Sequence, residues 1–336
     1  MTGILEALLH LDGKFYQTVI ILVWGALLDY LVGDPRDWLH PVQVIGWIIS
    51  GLTQTVIKNT EKKALRRLAG ITITVIILIS NYVLGWLIPW LLIKVHPLLG
   101  MTSQIILLAS CFAARSLRNA AVDVLTPLNK GEIKLAREKL SQYVGRDTEE
   151  LSETEIKRAI FETVTENAVD GVTAPLFYAI VGAMIPSCGS VPLALAYKAL
   201  STLDSMIGYK QEPFTDIGWF SAVLEDYVTW LPCRLTVLTL AIFSGKPKQV
   251  LAICWRDAPK DPSPNSGWSE CIYAAILGVQ VGGINTYKGT IKEKPLLGDP
   301  IQPITSKIIN QALGLTRICF LLWLAVGVML ILLVSF

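Results

Sequence analysis

Charged side chains are scarce in this sequence. Asp, Glu, Lys and Arg make up 17% of its 336 residues, where a soluble domain carries roughly 25%. That deficit argues against a chain that meets water over its whole surface. The little charge present is balanced, with a net of +2, so no polybasic stripe invites nucleic acid or an anionic membrane surface. Histidine is rarer still. His10, His40 and His96 are too far apart to form a local metal motif. The six cysteines include no CxxC pair and read as buried free thiols in a reducing compartment. No GxxxxGK[ST] loop occurs, which leaves a Walker-type nucleotide site unsupported. The N-terminus lacks a basic n-region and a cleavage site, so residues 17–33 read as a first membrane helix and not a removed signal. Internal repeats are also missing; the two Gly-Asp-Pro triplets at 33–35 and 298–300 read as coincidence.

What the chain has in quantity is apolar surface, 52% of its residues. Residues 70–95 are almost wholly apolar until Lys94, and at ~1.5 Å per residue they cover the ~30 Å hydrocarbon core of a bilayer. Tyr82, Trp86 and Trp90 suit an interfacial belt. Residues 318–336 contain no charge and form a second span. Residues 17–33, 101–114 and 227–243 are further candidates, the last containing Pro232 and Arg234. Residues 172–203 read as two short apolar arms around a turn at 186–189, re-entrant or buried in protein. The block 115–170 alternates charge at helical spacing and reads as amphipathic helices outside the bilayer, whereas 244–267 and 284–316 look loop-like. Lys58, Lys62, Lys63, Arg66 and Arg67 place the loop between the first two spans in the cytoplasm. The expected fold is therefore an all-α, polytopic integral membrane protein. It forms one domain over 1–336, with transmembrane and re-entrant helices and amphipathic cytoplasmic helices.

Five polar islands interrupt this apolar chain. In FETVTENAVDG (161–171), Glu166 and Asp170 stand four apart, on one face if helical, with Asn167 beside them. Two carboxylates and an amide could hold Mg²⁺ through oxygen; a solvated helix end with Asp170 as an N-cap explains them too. In YKALSTLDSMIGYK (197–210), Lys198, Thr202, Asp204 and Ser205 break an apolar run. Ionisable groups at membrane depth are costly and are functional candidates, unless Lys198 and Asp204 simply neutralise each other. CWRDAPKDPSPNSGW (254–268) sets Arg256, Asp257, Lys260 and Asp261 around a turn, suited to a phosphate or carboxylate or to an ordinary surface loop. Gln280 and the Gly282-Gly283 pair would let the backbone approach a bulky ligand. Asp34 and His40, in VGDPRDWLHPVQVIG (32–46), could join a site, although Gly-Asp-Pro is also a turn. Together the islands favour an internal reaction or binding site over a plain scaffold.

In order along the chain, GDPRDWLHPVQVIG, VGRDT (144–148), ENAVDGVTAPLFYA, YKALSTLDSMIGYK, DIGWFSAVLEDYVTWLPCRLT (216–236), RDAPKDPSPNSGW and LGVQVGG resemble the CobD/CbiB cobalamin-biosynthesis membrane proteins. The resemblance covers residues 20 to 300 and beyond. It departs from the family pattern at Ser201, where the family often has Asn.

The resemblance implies an adenosylcobinamide-phosphate synthase. Such an enzyme joins (R)-1-aminopropan-2-ol, or its O-phosphate, to the f-propionate carboxylate of adenosylcobyric acid, with ATP and Mg²⁺ as energy source. A carboxylate is a poor electrophile and needs activation, most simply as an acyl phosphate. ATP, the propionate and an amine phosphate then bring negative charge to one place, which Mg²⁺ and basic side chains must offset. On this reading Glu166 and Asp170 hold Mg²⁺, with Asp204 a further candidate. Lys198, Arg256 and Lys260 contact phosphate or carboxylate oxygens. Asn167, Thr202, Ser205, Asn265 and Gln280 position substrates, as do Asp34 and His40. Asp204, Asp257 and His40 are the candidate bases. The corrin, a broad disc, calls for a wide cavity. Implied surroundings are the lipid of the inner cell membrane, a site facing the cytoplasm, docking with other pathway enzymes and no nucleic acid. Two rivals are a corrinoid or anion transporter and a non-catalytic AmpE-like sensor or scaffold. Against the first stand the missing inverted repeats and the polar block 115–170. Against the second stand an intact ENxxDG, Lys198 and Asp204.

Overall fold

The computed structural model describes residues 13–33 and 41–334. Helices α1 (Gly13–Leu31), α2 (Pro41–Asn59), α3 (Lys63–Val95) and α4 (Pro97–Ala109) come first. Next follow α5 (Ala114–Asn129), α6 (Ile133–Leu140) and α7 (Glu153–Ala168), which a π-helical segment, Val169–Thr173, joins to α8 (Ala174–Met184). Then come α9 (Ser190–Ile207), α10 (Trp219–Phe243), α11 (Pro247–Asp257) and α12 (Ser266–Leu277). Strands β1 (Val281–Tyr287) and β2 (Thr290–Leu297) precede the last helix, α13 (Ser306–Val334). Two compact units interleave in the sequence. Residues 1–113, 174–228 and 321–336 form the first, and 114–173 with 229–320 form the second.

The first unit is built around α3. Its buried seam, Gly70, Ile73, Thr74, Ile77, Asn81, Gly85 and Pro89, recurs every three or four residues, as a helix with one inward face requires. Ile73 and Ile77 meet Ile45 and Ile49 of α2, Ala199, Leu203 and Ile207 of α9, and Ile217. Glycine at 85 lets α9 come close, because a Cβ there would sit 2.8 Å from the Pro192 Cα. Polar groups on the seam are satisfied within the helix: the Thr74 hydroxyl donates to the Gly70 carbonyl at 2.8 Å and the Asn81 amide to the Ile77 carbonyl at 2.8 Å. The opposite face shows Ile76, Ile79, Val83, Leu84 and Trp86 uncovered. An apolar face this long is a lipid face. Trp86 stacks on Trp90, whose ring carries the Lys94 ammonium at 3.5 Å. At the other end Arg66 pairs with Glu212 and Arg67 with Asp216, so part of the basic loop serves local structure. The short arms expected over 172–203 are α8 and α9, packed together across the turn at 186–189.

In the second unit α5 buries Leu117, Ala121, Val124 and Leu128, and α7 buries Ile156, Ile160 and Val164. Ser152 starts α7 with a capping box: its hydroxyl accepts from the Glu155 N–H, and the Glu155 carboxylate accepts from the Ser152 N–H at 2.7 Å. Those bonds hold the Glu155 carboxyl below its usual range. Helix α12 is buried almost all round, from Gly267 to Ala274, and packs on α7, α11 and the hairpin. β1 and β2 pair antiparallel, with Ile284 opposite Glu293, Gly283 opposite Lys294 and an irregularity between Val281 and Gly283.

Two helices, Lys63–Val95 and Ser306–Leu333, are long and apolar enough to cross a membrane, and a third span results if Pro97–Ala109 and Ala114–Asn129 act as one. The expected span at 70–95 lies inside the first, and the described part of the one expected at 318–336 overlaps the second through Leu333. The chain is all-α apart from one two-stranded hairpin, and the loop-like reading of 284–316 needs correction, because that stretch holds most of the hairpin and the start of α13. Likewise 244–267 contains α11. The hairpin has a weak sequence signal because most of its inward side is polar: Asn285 and Lys294 meet charged partners, and apolar burial is confined to Val281 and Leu297 at the open end, so the strands lack sustained apolar alternation.

Candidate functional site

Residues of the sequence islands fall in both units. Lys198, Thr202, Asp204 and Ser205 lie on α9 in the first unit. The Thr202 hydroxyl donates to the Lys198 carbonyl at 2.7 Å and the Ser205 hydroxyl to the Thr202 carbonyl at 3.0 Å, so both are turned onto their own helix. Lys198 and Asp204 are about 120° apart around α9 at ~100° per residue, which sets them on different faces, not in a mutually neutralising pair. Asp34 and His40 lie outside the described residues.

Glu166, Asn167 and Asp170 belong to the second unit. Helix α7 ends at Ala168, and Asp170 sits inside the π-helical segment, a wider turn of the kind that often marks functional sites. Glu166 and Asp170 are half-buried, whereas Asn167 is exposed and donates its side-chain amide to the Thr163 carbonyl at 2.9 Å. Burial pushes the Glu166 carboxyl up; Lys294 opposes that shift, while Asp261 and Glu162 reinforce it. Glu270, 1% exposed on α12, is pushed well up by the same desolvation, against the Lys294 ammonium 3.4 Å away. Lys294 is itself half-buried, and desolvation alone would lower its pKa. The surrounding carboxylates Glu270, Glu166, Glu162 and Asp261 outweigh that cost and raise it. One ammonium is thus shared among several acids that have little water to help them.

Glu162, a turn before Glu166, is saturated. Its carboxylate accepts from Arg146, from Arg158 at 3.4 Å and from the Gly282 N–H at 2.9 Å. Neither Glu162, Arg146, Arg158, Glu270 nor Lys294 was among the candidates from sequence. A signal for Glu162 exists in the four-residue rhythm Glu162, Glu166, Asp170, and one for Glu270 in a lone acid within an apolar helix. Lys294 has none, since its stretch reads as loop.

A second charged group surrounds Asp257, which is buried on the last turn of α11. It accepts from Arg256 at 2.9 Å and 2.6 Å, from Lys260 at 2.8 Å and from the Gly298 N–H at 3.1 Å. These partners hold its carboxyl at about 2 in spite of burial. A carboxylate so occupied and so acidic is an anchor and a poor proton acceptor, which argues against the expected role of Asp257 as a base. Arg256 also pairs with Asp299 at 2.7 Å, and Gln280 donates to the Gly298 carbonyl at 3.0 Å. The second Gly-Asp-Pro triplet, read as coincidence, therefore closes the Asp257 group. Arg256 and Lys260 stay about half exposed, so their outer N–H groups face solvent. Asn265 is buried, and its carbonyl accepts from the Trp268 and Ser269 N–H groups at 3.0 Å each. Among the described residues no three His, Cys, Asp or Glu side chains gather to hold a metal ion.

Comparison with known proteins adds a separate line of argument. The family model described as CobD/Cbib protein matches residues 22–316. The chain is 59% identical to the cobalamin biosynthesis protein CobD of Synechocystis sp., over 94% of this chain and 92% of the relative. It is 39% identical to the protein of the same name from Citrobacter koseri, over 91% and 95% of the two chains. With the cobalamin biosynthesis protein CbiB of Salmonella typhimurium the identity is 38%, over 91% and 95%. No solved structure matches the chain.

Proposed function

The chain belongs to the CobD/CbiB family, and from that premise we propose that it is the ATP-dependent ligase that joins aminopropanol, or its O-phosphate, to the f-propionate of adenosylcobyric acid. Involvement in cobalamin biosynthesis follows from the family; the amide-forming step is our reading. The observation that supports it most is a membrane chain that keeps Glu166, Glu270 and Lys294 together, largely out of water, in the same unit as half-exposed Arg256 and Lys260. Ionic groups held at such cost suit charged reactants.

The residues fit Mg²⁺ in one way only. Without a cluster of three ligands, a closed protein cage is excluded among the described residues. Mg²⁺ is ordinarily held by one or two carboxylates, waters and substrate phosphates, and Glu166 with Asp170 meets that requirement. When bound there, the ion supplies positive charge for phosphate oxygens. Arg256 and Lys260, anchored by Asp257, offer their outer N–H groups to phosphate or carboxylate oxygens. In the first unit, taken by itself, Lys198 is assigned a substrate oxygen and Asp204 an amine proton. Gln280 holds the Gly298 backbone beside the Asp257 group, and Asn265 holds the first turn of α12. The charged face of the second unit is assigned to the cytoplasm, where ATP and the amine are found.

The deciding experiment incubates purified protein with adenosylcobyric acid, ATP, Mg²⁺ and either amine, followed by mass spectrometry of the corrinoid. A mass gain equal to the amine less water supports the ligase. Unchanged corrinoid with every amine, or uptake into proteoliposomes without amide formation, overturns it.

A further inference from the structure

Beyond the buried apolar pair Val281 and Leu297 at its open end, the β-hairpin of the second unit is held against helix α7 and the segment before it by charged and polar groups. At its start Gly282 is gripped on both sides: its N–H donates to Glu162 at 2.9 Å and its carbonyl accepts from Arg158. Arg158 also donates to the Ile284 carbonyl at 3.0 Å and to the Asn285 side-chain oxygen at 3.0 Å, which Arg146 meets from its other side at 2.8 Å. At the turn the Asp147 carboxylate accepts from the Lys288 and Gly289 N–H groups at 2.9 Å and 2.8 Å, and its own N–H donates to the Thr286 carbonyl at 2.8 Å. Arg146 and Glu162 are almost wholly buried, with side chains 6% and 1% exposed. An ion pair buried so deeply is a weak source of stability, and the best-attested use of such groups is to select one geometry.

Here the geometry at stake is register. The pairing is irregular between Val281 and Gly283, at the residue that Glu162 and Arg158 grip. Gly282 has φ +90° there, and a Cβ would collide with the Pro295 carbonyl. In the observed register Lys294 faces inward to Glu270, and Glu293, paired with outward Ile284, is exposed. A slip of one residue turns every side chain to the other face. It would offer Glu293 to Glu270 and Glu166 and carry away the ammonium they share. Apolar burial opposes that slip only at the open end, where Val281 and Leu297 pair; from Gly283 to the turn the inward side is polar.

We infer that Arg146, Arg158 and Glu162 are the register lock of the hairpin, positioning residues that act on the candidate site through Lys294. The lock rests on our reading of that site as the ligase centre only for its effect on rate; its effect on the hairpin stands apart. Two arms test it on the full-length protein in detergent. Hydrogen exchange followed by mass spectrometry should show faster exchange over 281–297 in Glu162→Gln, with α5 and α6 protected as in the parent. Arg158→Lys, which keeps the charge but loses the fork across Gly282 and Ile284, gives the milder form if Glu162→Gln fails to fold. In the variant that folds, unchanged exchange over the hairpin, or faster exchange that extends equally to α5 and α6, overturns the lock. In the second arm, Glu162→Gln and Lys294→Met should each lower kcat/KM for amide formation about tenfold or more. The double variant should be no worse than the poorer single one, because both act through the same ammonium. Multiplying effects overturn the link to Lys294. If the parent makes no amide, the ligase reading falls, and the exchange arm alone upholds or rejects the lock.

Discussion

Single carboxylates in this protein have opposite electrostatic fates, and each fate has a measurable sign. Asp257 is held at about 2 by Arg256, Lys260 and the Gly298 N–H, against an ordinary ~3.9. A carboxyl depressed on folding stabilises the native state above its unfolded value, and that contribution is lost as pH falls through the folded one. The depression corresponds to about 2 kcal/mol. We expect Asp257→Asn to lower the melting temperature at pH 7, with the gap to the parent closing toward pH 2. Glu166 is the reverse. Its carboxyl is raised, chiefly by burial, so it weakens the fold as pH rises above its unfolded value of ~4.3. Glu166→Gln should therefore melt no lower than the parent at pH 8 while making no amide. Asp170→Asn should likewise stay folded and inactive. Full activity in both variants removes Mg²⁺ from these residues. Both sets of candidates come straight from the sequence, but not their division of labour. That Asp257 is saturated and Glu166 shares one distant ammonium depends on Gly298 and Lys294, which stand far along the chain.

Among the elements, α7 and α3 show how differently local and tertiary signals hold a helix. The Ser152–Glu155 box is entirely local. Ser152→Ala should cost about 1 kcal/mol, seen as a small drop in melting temperature with amide formation intact. Helix α3 depends instead on its neighbour, through the 2.8 Å approach of Pro192 to the place of a Cβ on Gly85. Gly85→Leu should separate α3 from α9 and give a protein that aggregates on extraction; a normal elution profile in size-exclusion chromatography would contradict this packing. Helical periodicity and apolar runs made α3, α8, α9 and α13 legible in advance, because the information lies within each segment. The hairpin was not legible. Its strands are stabilised by Arg146, Arg158, Glu162 and Asp147, residues that precede it by more than a hundred positions.

For the molecule as a whole, exposed apolar side chains along α3 and α13, such as Ile76, Ile79, Leu322 and Leu333, make a bilayer the expected surroundings. Alkaline carbonate should leave the protein in the membrane pellet, and its appearance in the supernatant would contradict the assignment of Lys63–Val95 and Ser306–Leu333 as spans. Docking with other enzymes of cobalamin biosynthesis should show as co-purification in mild detergent; a consistently solitary enzyme counts against it. Contacts divide the chain into two interleaved units, an arrangement that no single stretch of sequence encodes. Both α10 and α13 contribute residues to each unit, so the unit boundaries fall within helices and not at linkers.

By itself the sequence determined that the chain is helical, that it carries membrane-spanning segments and that it belongs among the cobalamin-biosynthesis proteins. Those properties are additive over residues or carried by contiguous motifs, so no folding is needed to read them. Only the tertiary structure decided which charges meet. Glu270 and Lys294, Arg146 and Glu162, Arg256 and Asp299 are brought together across long stretches of chain. The energy of a charge in a protein depends on its distance from others and from water, and both distances exist only once the chain has folded.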